Sequence, residues 1–323
     1  MSDAGIPTPE ALLATLAQLC AEKGICAHPL VSIRREENEY SRSHASEIVA
    51  CRFADGSERR VFLKYMAVLE EGHRDHGMRG GLAYEALVYS RVLRDTIRPA
   101  FLGIHTAGDG ALWLVLECLD DTVPLDLADD DAAILRAAAW LGKFHAAQER
   151  RLATGVPPGI RIYDADFCRG WARRTNEFAG EWHRRAPWLA GVCADFDRVI
   201  EVLLSAPPTV VHGEFYPHNI LYRAGEIFTV DWESAAIGAG EIDLVALTEG
   251  WPLETETDCQ REYRNARWPS GAPEIFAHRI AAARVYMHLR WMGEHPGWTE
   301  QEEDARWQLN ELKRWAERFG LAM

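Results

Sequence analysis

The stretch Val211-His212-Gly213-Glu214-Phe215-Tyr216-Pro217-His218-Asn219-Ile220-Leu221, with Thr229-Val230-Asp231-Trp232-Glu233 after it, decides how this chain is read. In the first segment a carboxylate, Glu214, stands five residues before an amide, Asn219, and apolar residues flank both. In the second an acid, Asp231, closes a short apolar run. The residues between, Ile220-Leu221-Tyr222 and Ile227-Phe228-Thr229-Val230, read as two strands about the turn Arg223-Ala224-Gly225. Such a hairpin is expected to hold Asn219 and Asp231 at its open end, where both can serve one cation-bound phosphate. Phosphoryl transfer asks for little else. It needs a group that orients the attacking hydroxyl, oxygen ligands for Mg²⁺, and a cation on the nucleotide phosphates.

A cation is found upstream. Residues 47–53 and 59–66 read as strands about Ala54-Asp55-Gly56-Ser57, and in Val61-Phe62-Leu63-Lys64-Tyr65 the one charged side chain is Lys64. A buried ammonium needs an anion, so Lys64 is either paired or placed for a phosphate; the alternative is an edge-strand lysine facing water. The stretch 81–93 reads as a helix with Glu85 among its apolar residues. A lysine on a strand followed by a glutamate on the next helix is the ion pair that grips nucleotide phosphates in kinases, which tips the reading toward a paired Lys64. Between them, residues 70–80 read as a mobile loop. His73-Arg74-Asp75 imitates a protein-kinase catalytic triplet, but the position five beyond the Asp is Gly80 rather than Asn, and a helix follows instead of strands.

The His-Gly-Glu, four residues, Asn pattern and the later Asp-Trp-Glu resemble the catalytic and metal-binding loops of the aminoglycoside phosphotransferase and choline kinase family. The resemblance covers roughly residues 30–250. It implies a two-lobed, protein-kinase-like α+β fold: an N-terminal lobe, 1–119, with a small antiparallel sheet, and a larger, mostly helical C-terminal lobe, 120–323. Carried over, Glu214 takes the place of the family's catalytic Asp, one methylene longer, and Asn219 and Asp231 take the places of the Mg²⁺ ligands. Lys64 and Glu85 fall on the phosphate-gripping pair, and Glu117 and Leu119 on the hinge that holds the adenine. His212 and Asp243, the latter in Gly238-Ala239-Gly240-Glu241-Ile242-Asp243-Leu244, would support the catalytic loop. The nucleotide-covering loop should lie at 38–44, where there is no glycine; Ser41, Ser43 or backbone amides would serve instead.

The remaining segments agree with a helical second half. Thr8-Pro9-Glu10 starts a helix that Gly24 ends, with Leu12, Leu16, Leu19 and Cys20 as its stripe. Acids at 126–131 precede another helix striped by Ile134, Leu135, Ala138, Leu141 and His145, the last read as a buried structural histidine. Two helical runs rich in Trp and Arg fill 151–208. Thr299-x-x-Glu302 reads as a capping box opening a final helix that stops at Gly320.

Composition narrows the class. The 323 residues are 48% hydrophobic, ample for a core, and carry a net charge of −14. That charge disfavours nucleic acid and anionic membrane as partners, and suits a cationic ligand; a polyhydroxylated acceptor is what the resemblance to aminoglycoside phosphotransferases implies. Seven cysteines without a C-x-x-C pair, and an N-terminus lacking a basic-then-apolar segment, point to reduced thiols in the cytoplasm. The reading is an ATP-dependent (GTP remains open), Mg²⁺-requiring kinase acting on a hydroxyl of an amine-bearing or natural-product substrate. Two rivals stay open. One is a catalytically silent nucleotide-binding protein, suggested by Glu214 and the glycine-free loop. The other is a nucleotide-independent scaffold with Trp251, Trp268 and Trp291 around a ligand. The acids at 249–258 would either meet an amine or form a solvated loop.

Overall fold

A computed structural model describes residues 6–38, 44–66, 79–93 and 99–322. The chain divides into two compact units: one holds the described residues up to Thr122 together with Phe228–Glu233, the other Val123–Ile227 and the chain from Ser234 onward.

In the first unit, α1 (Pro9–Lys23) starts at Thr8, whose Oγ1 accepts the Ala11 N–H, and ends at Gly24 with φ 62°. The strands β1 (Leu30–Glu37), β2 (Ala45–Phe53) and β3 (Glu58–Met66) follow, then α2 (Gly81–Val88), β4 (Phe101–Thr106) and β5 (Leu112–Glu117). They form one antiparallel sheet in the order β1-β2-β3-β5-β4. Strand alternation sends Val61, Leu63 and Tyr65 of the central β3 to one face, where Leu12, Leu16 and Cys20 of α1 cover them. Fully burying a leucine such as Leu12 or Leu16 contributes about 2 kcal/mol, which fixes α1 on that face. The alternate position, Lys64, belongs to the other face. The helix expected over 81–93 is α-helical only to Val88 and finishes as a π-helical turn, Tyr89–Leu93. Strand β4, unread in the sequence, is one edge of the sheet and β1 the other.

The second unit opens with the short strand β6 (Val123–Pro124) and α3 (Ala133–Leu152), before which Asp130 Oδ1 accepts the Ala132 N–H. The two helical runs expected over 151–208 are four helices: α4 (Ala165–Phe178), α5 (Trp182–Arg185), α6 (Trp188–Ala194) and α7 (Asp197–Leu204). Gly180, with φ 51°, and Pro187 interrupt the chain between them. Next come β7 (Thr209–Val211), then β8 (Ile220–Arg223) and β9 (Glu226–Thr229), which join through Ala224 and Gly225, both at positive φ, as a tight hairpin turn requires. Strand β9 carries the chain back into the first unit. Strand β10 (Ala236–Gly238) pairs with β7.

The helices α8 (Glu241–Thr248), α9 (Leu253–Arg267), α10 (Phe276–Glu294) and α11 (Glu302–Phe319) complete the unit. Helix α10 packs against α4, α7, α8 and α11 and is buried nearly all round. Gly142 lets α3 and α9 touch: a Cβ there would meet the Tyr263 carbonyl oxygen at 2.5 Å. The capping box at Thr299 does not form. Pro296–Thr299 is a 3₁₀ turn in which Thr299 Oγ1 donates to the Pro296 carbonyl, and α11 begins after Gln301 with no side-chain cap. A proline-started turn has taken the hydroxyl the helix would have used. The acids at 249–258 are not one solvated loop: α9 covers most of them, and Glu249 and Glu256 both pair with Arg284. The three tryptophans are engaged separately. Trp291 donates to Tyr216 Oη at 2.7 Å, Trp268 packs under the Arg267 guanidinium, and Trp251 is exposed. Among the described residues no helix is long and apolar enough to cross a membrane.

Candidate active site

In the first unit Lys64 Nζ lies 2.9 Å from Glu85 Oε2 and 2.7 Å from Asp231 Oδ1. Glu85 is fully buried, and its other oxygen accepts the Trp232 N–H at 3.2 Å. Burial disfavours the charged form of Lys64, but Glu85, Asp231 and Glu233 outweigh it and hold the ammonium above its usual range. Asp231 adopts φ 69°, the left-handed region that Asp and Asn tolerate better than other side-chain-bearing residues. A non-glycine residue in that conformation immediately before a buried Trp232 directs its carboxylate back to Lys64. Glu233, also buried, stands 3.1 Å from His44 Nε2, and its carbonyl accepts the Gly80 N–H. Glu117 straps β5 to the turn before β4: its N–H donates to the Ala100 carbonyl and its carboxylate accepts the Ala100 N–H. The Leu119 carbonyl accepts the Thr122 hydroxyl. Ser41 and Ser43 lie outside the described residues.

In the second unit the loop at 212–219 hangs from one buried carboxylate. Asp243 accepts the His212 N–H at 2.7 Å and the Gly213 N–H at 2.9 Å. Its Oδ2 also lies 3.2 Å from His145 Nε2. Burial pushes the pKa of His145 down, so the ring is neutral and donates Nε2–H to Asp243, while Nδ1 accepts the Tyr263 hydroxyl at 2.9 Å. Arg267 in turn donates to Tyr263 Oη at 2.5 Å. The run Arg267, Tyr263, His145, Asp243 thus orients two loop amides from α3, α8 and α9 together. His212 itself is fully buried, its Nδ1 accepting the Glu214 N–H at 3.3 Å.

Glu214 is 7% exposed and engaged at both oxygens. Oε1 accepts from Arg290 Nη2 at 3.0 Å and Oε2 from Ser234 Oγ at 2.7 Å. Arg290, buried on α10, also donates to the Gly213 carbonyl and to Tyr216 Oη. Neighbouring Tyr216, Glu214 and Glu294 keep its charge against burial. Asn219 Nδ2 donates to the Glu214 carbonyl at 2.9 Å, which leaves Oδ1 as the acceptor end of the amide. Asp231 and Asn219 therefore each offer a hard oxygen of the kind Mg²⁺ takes.

Arg290 and Ser234 escaped the sequence reading. The argument that singled out Lys64, a cation inside an apolar segment, applies equally to Arg290 in Val285-Tyr286-Met287-His288-Leu289-Arg290-Trp291-Met292. Ser234 carries no such signal; only the fold brings it to Glu214. Gly213 is required twice over: its φ is 83°, and a Cβ would lie 2.4 Å from the Ser234 carbonyl oxygen. Gly213→Ala is expected to cost at least about 2 kcal/mol from the left-handed backbone and the clash, read as a lowered Tm. An unchanged Tm would mean the loop is looser than this packing implies.

The sequence profile of the phosphotransferase enzyme family matches residues 91–275, more than half of the chain. Among curated proteins none matches the sequence. Solved structures share the fold at low identity. A choline kinase from Cryptosporidium parvum Iowa II aligns with TM-score 0.63 at 11% identity, over 96% of this chain and 96% of that one. The GDP complex of an aminoglycoside 2′-phosphotransferase aligns with TM-score 0.59 at 14% identity, over 96% and 98%. A spectinomycin phosphotransferase with ADP and spectinomycin aligns with TM-score 0.52 at 11% identity, over 93% of each chain. The architecture is the α+β kinase-like one, and because the family profile runs through the 212–219 loop, the hairpin and Asp243, the chain belongs to the phosphotransferase enzyme family, with a hydroxyl as phosphoryl acceptor.

Proposed function

We propose that this protein is a cytoplasmic, ATP-dependent small-molecule kinase that phosphorylates a hydroxyl of an amine-bearing or polyhydroxylated acceptor. The observation that carries the reading is the buried Lys64–Glu85–Asp231 cluster, a cation held by two carboxylates on a central strand. In this reading Lys64 uses its remaining N–H donor on nucleotide phosphate oxygens, with Glu85 fixing its position. Asp231 and Asn219 would hold Mg²⁺, which when bound neutralises charge on the phosphates. Glu214 orients the acceptor hydroxyl. In this reading a Glu214 oxygen, beside the Arg290 and Ser234 hydrogen bonds, accepts the hydroxyl proton. That proton moves to Glu214 as the new O–P bond forms and the bond to the departing diphosphate breaks. The net charge of −14 supports a cationic acceptor, as does the fold's likeness to choline kinases and aminoglycoside phosphotransferases.

One observation favours the silent alternative: both Glu214 oxygens already have partners. Calorimetry with ATP or GTP, with and without Mg²⁺, followed by ADP release over a panel of amino-alcohols and aminoglycosides, separates the readings. A kinase binds nucleotide in a Mg²⁺-dependent way and releases ADP with at least one acceptor. Binding without turnover over the whole panel, with turnover gained by Glu214→Asp, would make it silent by geometry. Failure to bind either nucleotide would reject both.

A further inference from the structure

Away from the loop at 212–219, three chain segments bring together one imidazole and two carboxylates. His288 on α10 is fully buried. Its Nδ1 lies 3.0 Å from Gln308 Oε1 on α11, an acceptor, so Nδ1 carries the ring hydrogen and Nε2 presents its lone pair. Nε2 is buried and has no hydrogen-bond partner among the described residues. A bare acceptor sealed from water is costly unless something donates to it or ligates through it.

What faces that lone pair is negative. Glu249 Oε1, at the end of α8, stands 3.7 Å away, too far for a hydrogen bond. Glu311, one turn beyond Gln308 on α11, adds a second carboxylate, and one ligand atom from each of the three residues lies within 4.8 Å of the others. Two ligands about 2.1 Å from one tetrahedral ion stand about 3.4 Å apart, so these separations suit a shared ion better than a direct contact. The surroundings have the form of an outer ligand shell. Gln308 fixes the ring tautomer, Arg284 grips the far oxygen of Glu249, and Arg314 lies 3.1 Å from Glu311 Oε2. Trp291 and Trp307 pack edge-on against the ring and hold its plane.

We propose that Glu249, His288 and Glu311 form a binding site for a divalent cation of the zinc class, with water as fourth ligand. The site is structural: the ion ties the end of α8 to α10 and α11. The imidazole sets the selectivity, because Mg²⁺ prefers oxygen ligands in octahedral array while Zn²⁺ and Co²⁺ accept a nitrogen in a tetrahedron. The proposal does not depend on which acceptor is phosphorylated, nor on whether nucleotide binds.

The test uses the full chain, stripped with EDTA and desalted, then titrated with Zn²⁺ by calorimetry and with Co²⁺ by visible absorbance. One equivalent should bind, Co²⁺ should give the intense bands of a tetrahedral site, Zn²⁺ should raise Tm, and millimolar Mg²⁺ should not compete. Glu311→Gln, on the partly exposed side of α11, should weaken Zn²⁺ binding at least about tenfold while leaving Tm in EDTA unchanged; His288→Gln should remove the Co²⁺ bands. The proposal is overturned if the stripped protein binds neither ion. It is equally overturned if both variants bind like the parent, which would place the ion on scattered surface acids, or if Mg²⁺ displaces Zn²⁺.

Discussion

Asp231→Asn should lose the Mg²⁺-dependent part of ATP binding and lower turnover on the order of 10³-fold, the rate equivalent of several kcal/mol of metal-borne charge stabilisation. The substitution isolates charge. Asn is the other side chain that tolerates the left-handed conformation Asp231 adopts at φ 69°, so the backbone should not move. Lys64 keeps Glu85 at 2.9 Å, so the cluster is not left with an unpaired buried cation. Calorimetry with ATP in Mg²⁺ and in EDTA, beside ADP release with an accepted substrate, reads the effect. Metal-dependent turnover at the parent rate would sink the assignment of Asp231 as a ligand.

The largest expected effect on stability comes from Arg290→Met. It takes the guanidinium partner from the buried Glu214, and removes the donors to the Gly213 carbonyl and Tyr216 Oη. Breaking a buried pair from one side costs about 3–5 kcal/mol, roughly 10 °C in Tm for a chain of this size. Glu214→Gln added to Arg290→Met should restore a large part of that loss, because an amide needs no counter-charge. A double-mutant cycle by thermal or urea unfolding measures the coupling. Additive single effects would show that Arg290 supports the helix packing and not the carboxylate. If Glu214 acts as proposed, Arg290 and Ser234 are what would let a glutamate take an aspartate's place. The longer side chain has one more rotatable bond, and two hydrogen bonds remove the freedom it adds.

Much of this was legible in the residues themselves. The cap at Thr8 and the stop at Gly24 are local chemistry, settled within one turn of chain, and the structure has both. The hairpin at 220–229 is likewise local, because its turn demands positive φ at two adjacent residues and Ala224-Gly225 supplies it. Lys64 could be singled out because a lone ammonium in an apolar strand must find an anion wherever the strand goes. Local rules failed where two local structures competed for one group. The Thr299 hydroxyl went to the turn started by Pro296. Residues 151–208 read as two helical runs, but they form four helices, parted in places by Gly180 and Pro187.

Partner choice across long separations belonged to the tertiary structure alone. The sequence determined that Lys64 needs a carboxylate; the sheet and α2 decided that Glu85 is one, and the chain's return at β9 decided that Asp231 is another. That Glu214 is held by Arg290, 76 residues on, and by Ser234, 20 residues on, follows from how α10 and the segment after Trp232 pack. Hydrogen bonds act over about 3 Å while their partners are separated by tens of residues of chain, so residue types fix what must be satisfied and only the packed fold fixes by whom.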